Sequence, residues 1–275
     1  MLENHPIVLL FVYGTLRYGF ELNHLLRNSP FIGLGYVEGF KMYDLGGYPG
    51  CVKGDGTIWG EVYQVSEELL RKLDEVEGYS GTPDDLYERT SVTVNFDQKR
   101  KYKLSGVQMY VYRRSIDDKY VIREGDFSSH MGMSKILNYF AYAENTNTEV
   151  MKYRGLTKIM KEFRAYAPGF RIVFSVPCRW GLCASLKEGE GKVCGYVYLT
   201  TADQLAVLDR AEHYLSTYMR DSIPVVDERG ITYFATVYFT EEKEEGSPSH
   251  QYLQIILDGL RRGWGDQCRS TGLDL

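Results

Sequence analysis

Short apolar segments separated by glycine fill the first half of the chain, and only one segment there has helical periodicity. Residues 8–13 form an apolar run that is typical of a buried strand and ends at Gly14-Thr15, and a short helical piece follows at 21–27. Many short strands around one helix predict an α+β fold, in which a small, mostly antiparallel β-barrel carries one main helix across it. The other strand-like segments are 33–41, 42–52, 57–65, 89–96 and 106–112.

The helix of this half is predicted from Ser66 to about Val76. Ser66 is suited to cap its N-terminus, acidic residues occupy the first turn, and Gly78 stops it. Glu77 therefore lies at the C-terminal end of the helix. The apolar face is predicted to hold Leu69, Leu70, Leu73 and Val76.

The same pattern returns in the second half, so the chain is a tandem repeat. The first strands also correspond, at 11–14 and 140–143. We predict two domains, residues 1–125 and 126–275, that fold as separate barrels and join in the aperiodic, mixed-charge stretch 113–135. The shared positions are Gly60/Gly195, Val62/Val197, Tyr63/Tyr198, Leu70/Leu205, Leu73/Leu208, Asp74/Asp209, Glu77/Glu212 and Tyr79/Tyr214.

Three further features are predicted in the second half. A capping-box pattern, Thr201-Ala-Asp-Gln204, starts the second copy's helix and leaves Leu205 and Leu208 inside. The acidic run 241–245 is predicted to be a solvated loop. A closing helix over 252–260 is predicted to turn Leu253, Ile256, Leu257 and Leu260 inward.

Composition restricts the partners. A net charge of −5, with acids and bases interspersed, gives no basic field for nucleic acid and suits a small or cationic partner better. The apolar run 7–12 is too short to span a bilayer and has no basic flank or cleavage site, so no membrane association is expected and the default location is cytoplasmic. Five cysteines, an odd number, argue against a disulfide framework. Cys178 and Cys183 lack the second pair or nearby histidines of a zinc site, so no metal or cofactor is predicted.

Glu77 and Glu212 are the candidate catalytic residues. The negative end of a helix dipole disfavours a carboxylate there, and Asp74 lies three residues earlier on the same face. Both effects should raise the carboxyl pKa toward the range in which it can take and return a proton near neutrality. The alternative is a structural role, in which these acids only hydrogen-bond the neighbouring backbone.

Two other elements are candidates for binding substrate. The turn at Tyr13-Gly14-Thr15-Leu16 presents successive backbone N–H groups, as anion-binding concavities do, although Gly-Thr after a strand can also be a plain turn. Tyr87 and its counterpart Tyr218 follow each glutamate and could orient a bound amide, or could be core tyrosines.

These motifs together resemble the gamma-glutamylcyclotransferase-like family over nearly the whole chain. The first half is similar to its gamma-glutamylamine branch, through Tyr13 to Arg17, Gly60 to Tyr63, Leu73 to Tyr79 and Tyr87 to Arg89. The second half is similar to the branch that acts on gamma-glutamyl amino acids, through the motifs Tyr139-Phe-Ala-Tyr142, Tyr218-Met-Arg220 and Ser247-Pro-Ser-His-Gln-Tyr252.

The resemblance implies an enzyme of the lyase or acyltransferase type that needs no cofactor. The substrate's own α-amine attacks its γ-carbonyl, which releases 5-oxoproline and a free amine. The loop after the first strand holds the glutamyl group, and the glutamate is the general acid/base. The competing hypothesis is a noncatalytic protein on the same fold that binds an amide or an amino acid. The acidic balance, with Glu144, Asp84 and Asp85, favours cationic amine conjugates among the gamma-glutamyl amides and amino acids that could be substrates.

The second copy departs from the family pattern. Where the family has Tyr-Gly-Ser-Asn, this chain has Tyr142-Ala143-Glu144-Asn145. Ala143 restricts the backbone, and Glu144 places negative charge where an anionic group is expected to bind. In the first copy, about four extra residues at 81–84 separate Glu77 from Tyr87, which should alter the pocket rim.

Overall fold

The computed structural model describes residues 6–241, 244–265, 267 and 270–273. The chain divides into two compact units, Met1–Lys135 and Ile136–Leu275. The first contains 3₁₀ turns at Glu21–Leu26 and Asp118–Tyr120 together with β1 (Ile7–Val12), β2 (Phe31–Asp44), β3 (Pro49–Ser66), α1 (Glu67–Val76), β4 (Tyr87–Asn95), β5 (Lys103–Tyr112), β6 (Val121–Ile122) and α2 (Phe127–His130).

The second unit repeats the order of strand, hairpin, helix and hairpin. It contains a 3₁₀ turn at Glu144–Thr146 together with β7 (Ile136–Ala141), α3 (Thr148–Tyr153), β8 (Lys161–Cys178), β9 (Gly181–Thr201), α4 (Ala202–Ala211), β10 (Met219–Asp227), β11 (Thr232–Phe239) and α5 (His250–Trp264).

Each unit is built on a closed ring of five strands, which confirms the predicted α+β barrel. In the first, the order is β3-β1-β5-β4-β2, and a further pairing of β2 with β3 closes the ring, while β6 extends the outer edge of β2. In the second, the closed order is β10-β11-β7-β9-β8. The pairings are antiparallel except β1 with β5 and β7 with β11, which are parallel. In the second unit, α5 is the predicted closing helix and accompanies the main helix α4.

The repeated glycine of β3 and β9 has a common physical reason. A Cβ at Gly60 would lie 2.5 Å from the carbonyl oxygen of Val12, and one at Gly195 would lie 2.1 Å from that of Ala141. The strand therefore crosses the end of the first strand too closely for any side chain. The two strands are therefore in close backbone contact next to the loop that follows β1 in the first unit and β7 in the second.

Helix α1 begins as predicted, because the Ser66 hydroxyl accepts a hydrogen bond from the Leu69 N–H at 3.2 Å. Leu70 and Leu73 are buried against the barrel, but Val76 is 48% exposed and lies in the wall of a cavity. Val76 is therefore not part of the buried face.

The predicted capping box at α4 is wrong. Thr201 is the N-cap by backbone conformation, but its side chain makes no capping hydrogen bond. The Gln204 side chain instead accepts hydrogen bonds from the N–H groups of Thr157 and Lys158, both at 3.0 Å. The Gln204 side chain thus forms a tertiary contact with residues 157 and 158 instead of capping the helix.

Residues 113–135, predicted as the junction, pack onto the first barrel. The short strand β6 pairs with β2, and the Gly125 carbonyl accepts the Trp59 N–H at 2.8 Å. The two compact units meet between Lys135 and Ile136.

The expectation that the chain has no disulfides is wrong. Cys178 and Cys183 are joined, with their Cα atoms 5.9 Å apart, and Cys194 is disulfide-bonded as well. The β8–β9 hairpin turns at Gly181, which has a positive φ, so two cysteines five positions apart come within bonding range. Among the described residues, no group of three or more His, Cys, Asp or Glu side chains could hold a metal ion.

Two other predictions for the second half need correction. Within the acidic run 241–245, residues 242 and 243 lie outside the described part, and Glu245 is not simply solvated, because its carboxylate pairs with Arg171 and Lys187. Helix α5 buries Ile256 and Leu260 as predicted, but Leu253 and Leu257 are only half-buried. The remaining buried positions of α5 are Tyr252, Gly259 and Trp264.

Within the described ranges, none of the helices combines the length and the apolar character that a membrane crossing requires.

Candidate active site

A cavity of about 590 Å³ opens beside the end of β1 in the first unit. Its walls are the loop after β1, the C-terminal end of α1 and the start of β4. A cavity of this size with a few convergent polar groups is the usual form of a ligand site. The structure brings together here the six residues that the sequence predicts for the first copy: Tyr13, Gly14, Thr15, Leu16, Glu77 and Tyr87.

Glu77 has the features of a proton-transfer group. It is the C-cap of α1, and its backbone N–H donates to the Leu73 carbonyl at 2.9 Å. Among the described residues, its carboxylate makes no hydrogen bond or ion pair. Burial raises the pKa of Glu77 to about 7, because desolvation disfavours the charged form. Both protonation states are therefore populated near neutrality.

The neighbouring Asp74 does not cause this shift. Arg89 Nη1 lies 2.6 and 2.8 Å from the two Asp74 carboxylate oxygens, and the Tyr110 hydroxyl donates to Asp74 at 2.8 Å. Arg89 thus neutralises Asp74, and burial is the only cause of the raised pKa of Glu77. The predicted direction of the pKa shift is confirmed, but the cause assigned to Asp74 is wrong.

The loop after β1 lines the cavity with Gly14, Thr15 and Leu16. The Gly14 and Thr15 carbonyls accept the N–H groups of Arg17 and Leu22, at 2.9 and 3.2 Å. None of the turn and loop hydrogen bonds among the described residues uses the N–H of Gly14, Thr15 or Leu16 as its donor. These N–H groups are available to an anionic oxygen. Gly14 is also needed for space, because a Cβ there would lie 2.8 Å from the Pro49 ring.

A buried ionic cluster supports this loop from behind. Arg17 is fully buried, and its guanidinium binds Glu61 at 3.3 Å and Asp126 at 2.7 Å. Glu61 also accepts the Tyr18 N–H at 3.0 Å, and Lys135 pairs with Asp126 at 2.7 Å. The sequence analysis did not identify this cluster.

The two tyrosines of the first site keep their protons. The Tyr13 hydroxyl donates to the Tyr110 carbonyl at 2.8 Å, and the Tyr87 hydroxyl donates to the Pro49 carbonyl at 3.3 Å. Burial raises the pKa of both phenols well above its ordinary value. Tyr87 is therefore a neutral donor with a long, weak internal bond in the cavity wall.

Three acids but no lysine, arginine or histidine lie among the described residues that line this cavity. Glu21 and Glu75 are exposed at its rim, while Glu77 lies deeper. The rim is consequently negative. Neither Asp84 nor Asp85, considered from the sequence, lines the cavity.

The Asp85 carboxylate instead organises the four-residue insertion. It accepts hydrogen bonds from the backbone N–H groups of residues 80–82 at 2.7 to 2.9 Å, and from the hydroxyls of Ser80 and Thr82. These bonds hold the pKa of Asp85 well below its usual range. Arg113 and Arg114 also donate to the Thr82 and Asp84 carbonyls, at 2.9 and 3.4 Å, so the insertion is an ordered turn held to the end of β5.

The corresponding site of the second unit is almost closed. A cavity of only about 30 Å³ remains, compared with about 590 Å³ in the first unit. The predicted residues of the second copy are again brought together in its wall: Tyr142, Ala143, Glu144, Asn145, Glu212 and Tyr218.

Arg154, which follows α3, explains the small cavity. Its guanidinium forms ion pairs with both Glu212 and Glu144, and also donates to the Asn145 side-chain oxygen at 2.7 Å. Asn145 in turn donates to Glu212 at 2.9 Å and to the Tyr139 hydroxyl at 2.6 Å. Glu212, unlike Glu77, therefore has its carboxylate paired, with both contacts made to Oε1.

The contacts of Asp74 with Arg89 and Tyr110 recur in the second unit. Arg220 Nη1 donates to Asp209 Oδ2 at 2.8 Å, and the Tyr238 hydroxyl donates to Asp209 Oδ1 at 2.8 Å. The Tyr142 hydroxyl donates to the Tyr238 carbonyl at 2.7 Å, as Tyr13 does to Tyr110. Scaffold contacts are thus repeated, while the contacts of the two glutamates differ.

Comparison with known proteins agrees with this repeat. The family described as Gamma-glutamyl cyclotransferase, AIG2-like, matches the chain twice, over residues 10–129 and 139–255. The chain belongs to this family. Membership supports a cyclotransferase activity in general.

Individual relatives cover either one half or the whole chain. YtfP of Escherichia coli is 32% identical over 118 residues, which cover 43% of this chain and 94% of YtfP. YkqA of Bacillus subtilis is 27% identical over 258 residues, which cover 90% of each chain; its crystal structure gives a TM-score of 0.44 at 25% identity. The Niallia circulans enzyme named gamma-L-glutamyl-butirosin B gamma-glutamyl cyclotransferase is 33% identical over 127 residues, which cover 44% of this chain and 76% of that enzyme.

Sequence reasoning missed Arg154 and the Arg17 cluster. Arg154 lies 58 positions before Glu212 and belongs to none of the positions shared by the two copies. Arg17 is part of the motif after β1, but its partners Glu61 and Asp126 lie 44 and 109 positions away. The recurrence of Arg89 and Arg220 beside Asp74 and Asp209 is a signal that could have revealed the paired state of those acids.

Proposed function

We propose that the first unit cyclises a gamma-glutamyl group, releasing 5-oxoproline and a free amine, with Glu77 as the general acid/base. The observation that carries the proposal is Glu77 itself: a buried carboxyl without an internal partner, with a pKa of about 7, in a cavity that also contains three available N–H groups. A structural carboxylate at this depth would normally be paired.

The proposed reaction needs only one proton-transfer group. Ionised Glu77 removes a proton from the α-ammonium of the glutamyl group, and the amine nitrogen then forms a bond to the γ-carbonyl carbon. The bond from that carbon to the leaving nitrogen breaks as Glu77 returns the proton to the departing amine. The cyclised nitrogen then gives up its remaining extra proton through the again ionised Glu77, and the released amine takes that proton up as it becomes an ammonium ion. The nucleophile and the electrophile belong to one molecule, so positioning supplies much of the rate.

The N–H groups of Gly14, Thr15 and Leu16 have a matching role. They can hold the substrate α-carboxylate or the oxygen that becomes negative when the amine adds to the carbonyl. Tyr87 supplies one further neutral donor in the cavity wall. These roles for Tyr13 to Leu16 and Tyr87 are part of the proposal.

The negative rim favours substrates whose leaving amine carries a positive charge, such as a polyamine or lysine conjugate. Glu21 and Glu75 are exposed, and no cationic side chain lines the described cavity. A cation leaving through this rim experiences attraction that a neutral amine does not. The test is to incubate the protein with gamma-glutamyl amides of similar size and to measure 5-oxoproline. Release from the cationic amides supports the proposal, and binding of every amide without any release favours the noncatalytic alternative.

We expect a specific pH dependence of kcat/KM. Glu77 must be ionised to remove the ammonium proton, so kcat/KM should rise about tenfold per pH unit below neutrality and level off above about pH 7. The measurement is 5-oxoproline release from pH 5 to 8, with Glu212→Gln as a control that keeps the same profile. A flat profile, or a midpoint at an ordinary carboxyl pKa, would contradict the assignment of Glu77.

We also expect Glu21→Gln/Glu75→Gln to weaken binding of cationic substrates selectively. Two exposed charges acting at the rim should raise KM by about 3- to 10-fold at low salt, and added salt should reduce the difference. The matched control is Glu67→Gln/Glu124→Gln, which removes two exposed charges that do not line the cavity. An equal rise in KM for a neutral amide, or for the control, would count against the rim's role.

A further inference from the structure

The second unit contains two spaces whose walls share Glu144, Glu212 and Tyr218. The inner cavity of about 30 Å³ is lined by Tyr139, Asn145 and Glu212 among others. An outer groove of about 780 Å³ is lined by Arg154, Trp180 and again Glu212. Arg154 lines the groove but not the inner cavity, and its guanidinium is ion-paired with Glu144 and Glu212, which line both spaces.

The guanidinium is held as a bound ligand would be. Its two terminal nitrogens reach Glu144, Glu212 and the Asn145 side-chain oxygen, and its side chain is only 16% exposed. Asn145 is in turn fixed by Tyr139. Two acids and an amide oxygen around a planar cation form a complementary site for guanidinium.

The substitutions in the loop after β7 fit this arrangement. In the first unit, the equivalent positions are Gly14 and Thr15, which line the open cavity. In the second unit, Glu144 brings a carboxylate that pairs with Arg154. The negative charge of Glu144 is therefore compensated from within the chain.

We propose that the second unit is a self-occupied site: Glu144, Asn145 and Glu212 form a guanidinium-binding cradle, and Arg154 fills it and closes the cavity to gamma-glutamyl ligands. The consequence for turnover rests on the proposed function, since it leaves the first unit as the sole source of 5-oxoproline. The cradle itself does not depend on that function.

Chemical rescue tests the cradle directly. Arg154→Ala should lower the melting temperature of the second unit, and millimolar methylguanidinium should restore it by several degrees. Neither the wild type nor Lys152→Ala should respond; Lys152 lies in the last turn of α3, just before Arg154, and forms an exposed ion pair with Glu149. Arg154→Met, which keeps the apolar stem, is the second variant. The proposal is overturned if methylguanidinium raises the melting temperature of neither Arg154 variant above that of the Lys152 control.

Ligand stoichiometry tests the closure. Calorimetry with 5-oxoproline should give one equivalent for the wild type and for Glu144→Ser, and two for Glu144→Ser/Arg154→Met. Two equivalents for the wild type or for Glu144→Ser alone would show that Arg154 does not close the site, and one for the double variant would show the same. If 5-oxoproline binds nowhere, the proposed function fails at the first site, and the methylguanidinium result still decides the cradle.

Discussion

Glu77→Gln is expected to lower 5-oxoproline release by about 10²- to 10⁴-fold without unfolding the first unit. The amide matches the carboxyl in shape but can neither take the ammonium proton nor return it to the leaving amine. KM should change less than kcat, because the loop that holds the glutamyl group is untouched. The measurement is steady-state release of 5-oxoproline from the best gamma-glutamyl amide.

The matched control is Glu212→Gln, the same change at the equivalent position of the second unit. It should retain near-normal turnover, because Glu212 is paired with Arg154 and Asn145, and the inner cavity beside the loop after β7 has only about 30 Å³. The opposite outcome, with Glu212→Gln inactive and Glu77→Gln active, would assign the chemistry to the second unit.

Stability supplies a second signature of the same substitution. The pKa of Glu77 in the folded state, about 7, lies above its ordinary value of 4.5. The folded protein therefore binds this proton more tightly than the unfolded chain, and stability falls as pH rises from about 4.5 to 7. Above pH 7 the wild type carries this whole cost, roughly 2 to 4 kcal/mol, and Glu77→Gln does not. The inactive variant should thus be at least as stable as the wild type at pH 8.

The barrel and its helix could be predicted because the residues that form them occur in both copies of the repeat. Gly60 and Gly195 recur because the first strand passes too close for a Cβ, and Leu73 and Leu208 recur because both fill the same buried position. Glu77 could be found in the same way. Such features depend on contacts that both copies share.

The difference between the two sites could not be predicted from the repeat. Glu144 suggested repulsion of an anion, but its effect depends on Arg154, which the fold brings to the loop from beyond α3. The capping box failed for a related reason, since Gln204 finds tertiary partners. In both cases the role of a side chain was predicted from its neighbours in the sequence. The actual partners, Thr157 for Gln204 and Arg154 for Glu144, belong to no motif that the two copies share.

The ionic cluster around Arg17 is the other feature that the sequence did not predict. Its two acids, Glu61 and Asp126, have pKa values shifted in opposite directions. Burial raises the pKa of Glu61, although Arg17, Tyr18 and Tyr63 oppose the rise. Burial would also raise the pKa of Asp126, but Arg17 and Lys135 outweigh it and lower that pKa to about 2. Asp126 is therefore firmly ionised, while Glu61 depends on Arg17 to remain charged.

Arg17→Ala is accordingly expected to destabilise the first unit by about 3 kcal/mol, near the lower end of the cost of breaking a buried ion pair. Asp126 keeps Lys135 as a partner, and Glu61 can escape part of the penalty by binding a proton, so the loss should be larger at pH 8 than at pH 5. Hydrogen exchange of peptides from β1 and β3 reports the opening free energy of this unit within the full chain. The control is Lys72→Ala, which breaks an exposed pair with Glu68 and should cost at most about 0.5 kcal/mol. A loss no greater for Arg17→Ala than for Lys72→Ala, or one that is independent of pH, would show that the cluster does not hold the loop in place.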